Sequence, residues 1–177
     1  MYIKFKIIRI AVLALAALAS MSFLLNPDYT KSSVSFKIKN AGIGVDGIFK
    51  TFETSIDFNA TEKAPSSIKA TIQVKTIDTG IEGRDNHLRK EEYFNEAKYP
   101  VITFQSDKIL KTTSGTFIAE GMLTMKGVSK AVKIPFTYVE NIFEGTFTLD
   151  RLDYAIGGKS LTMGDDVEIK IKVSILK

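Results

Sequence analysis

The chain has 177 residues, enough for one domain with a sizeable core. Its formal charge of +4 is misleading: Lys4, Lys6 and Arg9 are three of its 24 basic residues, no acid lies in residues 1–19, and the rest stands at 21 basic against 20 acidic residues. Nothing concentrates positive charge as nucleic-acid binding requires, and the absence of cysteine excludes a disulfide framework and a thiol-linked lipid anchor.

The first 19 residues follow the pattern of a secretory signal peptide. A basic start precedes an apolar run from Ile10 to Leu18, and the small residues Ala17 and Ala19 fit a cleavage site before Ser20. The competing reading is an uncleaved anchor, because Met21, Phe23, Leu24 and Leu25 prolong the apolar stretch. Cleavage predicts a periplasmic or secreted protein whose mature domain occupies residues 26–177.

Beyond Asn26 the chain alternates apolar and polar residues, as strands do when one face is buried and the other wet. Val34, Phe36 and Ile38 alternate with serine and lysine, followed by Ile56 and Phe58, and by Ile68, Ala70, Ile72 and Val74. The pattern resumes at Ile102 and Phe104, at Phe117 to Met125, at Val132 to Tyr138, at Phe143 to Leu149 and at Val167 to Ile175. Turn residues separate these runs at Asn40-Ala41-Gly42, Pro65, Ser114-Gly115, Lys126-Gly127, Gly157-Gly158 and Gly164-Asp165.

Residues 84–97 break the alternation. Asp85 reads as an N-cap, the body from Arg84 to Lys98 favours helix, and Tyr99-Pro100 ends it. The expected fold is an all-β antiparallel barrel of about eight strands with one short helix, since closure removes exposed sheet edges.

Many of the twelve phenylalanines fall on the inward register, which predicts either a dry core or a lumen for an apolar chain. The inward set comprises Phe36, Ile38, Phe58, Ile72, Phe104, Leu123, Ile134, Phe136, Phe147 and Ile169. Almost no ionisable side chain interrupts the inward register, so a ligand held there is expected to be apolar along its length, which excludes sugars and nucleotides from the interior.

Catalytic signals are sparse. His87 is the lone histidine and sits in a charged cluster with Arg84, Asp85, Lys90, Glu91 and Glu92, where Asp85 and His87 form the one candidate acid–base pair. A solvated helix face explains the same residues. No metal-ligand set, nucleophile elbow or phosphate-cradling loop is present, so neither a cofactor nor a metal site is predicted. A hydrolase or isomerase acting on a lipid, and a ligand-free interaction module, stand as alternatives to a non-enzymatic binder.

The segment Thr76 to Ser106 resembles the central block of the YceI family, with Arg84, Asp85, His87, Leu88, Phe94, Tyr99, Pro100, Thr103, Phe104 and Ser106 in order. Glu120 to Val128 resembles the family's G-x-L-T-x-x-G hairpin, and Phe147 to Tyr154 its late strand with Arg151. The resemblance implies an extended lipocalin-like barrel, periplasmic or secreted, whose lumen takes a polyisoprenoid lipid such as an isoprenoid quinone. Transient membrane contact and a monomer or homodimer accompany that expectation. Where relatives often carry histidines near the ends of the first strand, this chain has Lys31 and Asn40, so no head-group contact is carried over from them.

Overall fold

The structure, a computed structural model, describes residues 24–61 and 66–177; the signal-peptide reading and the Pro65 turn lie outside them. The alternating runs form one antiparallel sheet of eleven strands. In chain order these are β1 (Leu24–Leu25), β2 (Pro27–Asn40), β3 (Ile43–Phe49), β4 (Phe52–Asp57), β5 (Ser67–Gln73), β6 (Ile77–Asp78), β7 (Val101–Lys111), β8 (Phe117–Met125), β9 (Val128–Val139), β10 (Ile142–Asp150) and β11 (Met163–Ile175). The sheet order is β1-β4-β5-β7-β8-β9-β10-β11-β2-β3-β6.

The count exceeds the expected eight because β1 and β6 are two-residue ladders and the alternation of β3 is broken by Gly44 and Gly47. Gly164-Asp165, expected to turn, instead lies inside β11, where the register with β2 slips between Met163 and Val167. A β-bulge there uses the flexible residues without reversing the chain.

The sheet curls until its ends approach. The first half of β2 pairs only with β11, while its free edge faces β4. Tyr29 crosses this seam: its hydroxyl accepts from the Thr54 amide at 2.9 Å and its ring meets Phe52 edge-on at 5.5 Å. Lys50 donates to the Thr76 carbonyl and Gln73 to that of Thr51, tying the β3–β4 connection down.

Two further devices keep the curled ladder paired. In β7 the register slips between Ser106 and Lys108, and the buried Ser106 hydroxyl accepts from the Ile68 amide of β5 at 2.8 Å. Opposite this bulge stands Gly121, where a Cβ would lie 2.1 Å from the Gln105 carbonyl oxygen; only glycine fits. Gly127, at φ 77° in the β8–β9 turn, likewise yields its side-chain space to the Tyr99 ring.

The expected helix forms but is shorter and earlier. Helix α1 spans Glu82–Leu88, begins after Ile81 without a side-chain cap, and buries Asp85 in its first turn. From Arg89 to Tyr99 the chain continues as successive turns, with Asn95 left-handed. Leu88, Tyr93 and Phe94 all face the interior, and an unbroken helix at about 100° per residue would spread them over its circumference.

Replacing Tyr29 with Phe removes the seam hydrogen bond and leaves the Thr54 amide without its partner. Urea denaturation of Tyr29→Phe is expected to show a loss of about 1 kcal/mol. An unchanged midpoint would mean that the seam is held by side-chain packing alone.

Candidate functional site in the lumen

The curled sheet encloses a cavity of about 240 Å³. Phe36, Ile38, Ile72, Phe104, Leu123, Ile134, Phe136, Phe147 and Ile169 all lie on its wall, brought together from β2, β5, β7, β8, β9, β10 and β11. Period-two alternation is what places them there, because alternate side chains of every strand share one sheet face.

Phe58 does not line this cavity. It follows the last residue of β4 and sits in an aromatic cluster, with ring centroids 5.0 Å from Phe117, 5.1 Å from Phe143, 5.2 Å from Tyr138 and 5.7 Å from Phe136. Beyond the ladder the chain is no longer bound to the wall, so the ring turns across the end of the barrel. Edge-to-face pairs of this kind add about 0.5–1.5 kcal/mol each beyond area burial. The cluster closes that end.

The opposite end is wetter. Ile38, Val45, Phe147, Leu149, Met163 and Val167 face the cavity and remain half-buried, whereas Ile56, Phe136, Phe143 and Val173 near the aromatic cluster are buried. At this end α1, the turns after it and the loop joining β10 to β11 bring Arg84, Leu88, Tyr93, Phe94 and Ile156 to the wall. Sequence periodicity could not identify Leu88, Tyr93 and Phe94 as wall residues, because they obey no helix or strand period.

Among the described wall residues the only polar side chains are Asn40, Thr54, Arg84, Tyr93 and Arg151. Thr54 Oγ1 is buried without a hydrogen-bond partner among the described residues. The two guanidinium groups are both braced from behind. Arg84 donates through Nε to Thr79 Oγ1 and through Nη2 to the Thr79 carbonyl, both at 2.7 Å. The Thr79 hydroxyl in turn donates to Asp85 Oδ1 at 2.5 Å.

Arg151 is 2% exposed and serves a different purpose. Its Nε donates to the Gly164 carbonyl, its Nη1 to the carbonyls of Ile156 and Gly158, and its Nη2 to Asp165 Oδ1. One guanidinium therefore clamps both ends of the loop from residue 156 to residue 164. Burial, and secondarily the charge of Asp153, raises the phenol pKa of neighbouring Tyr154 above its ordinary value.

Asp85 and His87 do not form an acid–base pair. Asp85 is buried and accepts from the Thr79 amide and hydroxyl. His87 is about half exposed, places Nε2 2.9 Å from Glu92 Oε1, and is absent from the cavity wall. The Glu92 carboxyl is held below the usual carboxylate range by its own backbone amide and, secondarily, by His87. Lys90 and Glu91 are exposed, as a solvated surface requires.

Removing the Arg151 clamp leaves three carbonyls and Asp165 without their donor. Arg151→Met is expected to lower stability by on the order of 3 kcal/mol, with amide exchange accelerated across residues 156–164. Unchanged exchange in that loop would show that the backbone holds itself.

The described geometry has counterparts among known proteins. The family model described as a YceI-like domain matches residues 25–175. A UPF0312 protein of Ectopseudomonas mendocina is 30% identical over 151 residues, covering 79% of both chains, and one of Pseudomonas aeruginosa is 30% identical, covering 79% of this chain and 78% of its own. The crystal structure of Burkholderia cenocepacia BcnA superposes with a TM-score of 0.80 at 27% identity, over 86% of this chain and all of that one. A polyisoprenoid binding domain from Saccharophagus degradans shares the fold at a TM-score of 0.59 and 13% identity, over 86% of this chain and 96% of its own.

Proposed function

The chain belongs to the YceI-like domain family, and from that premise we propose that its barrel holds a long apolar lipid, a polyisoprenoid or isoprenoid quinone, without acting on it chemically. The observation that carries this reading is the wall itself: a cavity of about 240 Å³ whose lining includes two guanidinium groups, one phenol and no carboxylate, and is otherwise almost wholly hydrocarbon. The named ligand class of the Saccharophagus degradans domain, which has the same fold, adds support.

Size sets what fits. At about 30 Å³ per water-sized group, a cavity of about 240 Å³ holds on the order of eight such groups, between one and two isoprene units. A longer chain must emerge at the mouth. At about 0.8 kcal/mol per methylene, eight such groups gain about 6 kcal/mol relative to water. A lipid that leaves a bilayer gains little of this, so selection rests on the shape of the tube and on its closed end.

The function as a carrier or store requires export. Residues 1–19 direct the chain out of the cytoplasm, and the mature protein works in the periplasm or outside the cell. Cell fractionation followed by N-terminal sequencing is expected to find a mature chain beginning at Ser20; an intact Met1 in the membrane fraction would favour the anchor instead.

Native purification, organic extraction and mass spectrometry are expected to release a long isoprenoid. Ala70 is half-buried on the cavity wall, so Ala70→Trp fills the lumen from a position with space in front of it. The lipid-to-protein ratio should fall about tenfold while the fold persists. Phe136→Asp should also lower it, by placing a carboxylate in the apolar wall. Repeated recovery of the wild-type protein free of lipid would overturn the proposal.

A further inference from the structure

We propose that the β2–β3 turn and the loop from residue 156 to residue 164 form a lip that docks the protein on the surface of an anionic lipid bilayer, with the lumen opening toward it. The purpose of such docking, exchange of a lipid with the bilayer, rests on the reading above; the docking itself is tested separately.

Leu161 is 107% exposed and Ile43 is 71% exposed, the two highest values among the large hydrophobic side chains described. They are neighbours in space. The Ala41 amide donates to the Thr162 carbonyl at 2.7 Å, and Asn40 stands opposite both Ile43 and Met163.

Neither side chain is exposed through slackness. Ser160 Oγ accepts from the amides of Thr162 and Met163, and Arg151 holds the carbonyls of Ile156, Gly158 and Gly164. Ala41 and Gly42, both left-handed, fix the other half of the lip. A leucine held wholly in water by a braced loop forgoes its transfer free energy, and the interfacial layer of a bilayer returns it.

Charge selects the kind of surface. Lys39 and Lys159 flank the two apolar tips, are exposed, and make no ion pair among the described residues. Asp46 on β3 and Asp165 on β11 are already paired with Lys37 and Arg151, which leaves exposed Asp166 as the acid beside the two lysines. Two lysines against one aspartate, beside two apolar side chains, give the lip a net positive charge that matches a bilayer carrying anionic headgroups. At the other end of the barrel, exposed Val139 is followed by Glu140, and the aromatic cluster closes the lumen behind it. The lip, in contrast, runs directly into the cavity wall through Asn40 and Met163.

The chain has no cysteine, so Leu161→Cys carries a single environment-sensitive fluorophore on the full-length protein. With phosphatidylglycerol–phosphatidylcholine vesicles the fluorophore should shift to the blue and be quenched by headgroup nitroxide lipids, and with pure phosphatidylcholine it should not. A fluorophore at Val139→Cys should stay unchanged. Ile43→Asp in the chain labelled at position 161 should weaken vesicle binding about tenfold. Equal responses at 139 and 161, no response at 161, or a shift at 161 produced by raising protein concentration without vesicles would each overturn the lip, the last pointing to a second copy as its occupant. If docking fails while lipid is still extracted, the container stands and the lip falls. If docking holds and extracts are empty, the container alone falls.

Discussion

A sheet that curls around a cavity must slip its register to bend, and each slip threatens to leave a backbone amide or carbonyl without a partner in a place water reaches poorly. Much of what distinguishes this chain from a generic alternating sequence answers that constraint. Ser106 supplies an acceptor to β5 where β7 slips against β8, and Gly121 gives the bulge room. Ser32 does the same at the slip between β2 and β11, accepting from the Ser174 amide. Tyr29 spans the seam where no ladder forms, and Arg151 collects three carbonyls where the strands give way to a loop.

The family-like motifs answer the same constraint. Arg84, Asp85, Tyr99, Ser106 and Arg151 occur in ordered blocks of the kind that often mark catalysis. Here each is tied to architecture: Asp85 orients Thr79, Thr79 orients Arg84, and Tyr99 packs over Gly127. Polar residues of this sort fix one geometry for the mouth because their alternatives are costly, whereas the apolar wall specifies little beyond volume and shape.

The wall was legible in the sequence because a single rule, period two, governs every long strand. The same rule failed at its boundaries. Phe58 keeps the alternation of β4 but stands one residue past the ladder, where nothing holds its side chain to the wall. Leu88, Tyr93 and Phe94 reach the cavity from turns, where contact is set by the path of the chain and not by periodicity. Asp85 has the chemistry of an N-cap but lies within the helix, because Thr79 offers its carboxylate a hydroxyl and an amide together. The two-residue ladders of β1 and β6 are too short to carry any pattern.

The aromatic cluster around Phe58 makes the lumen a tube closed at one end. An occupant of such a tube enters tail first, stops where the rings stop it, and leaves by the path it came. Its polar end therefore comes to rest at a height above the mouth that depends only on the length of the tail. For the lipid proposed above, the closed end would convert chain length, a property of the buried part of the molecule, into the position of its headgroup at the protein surface.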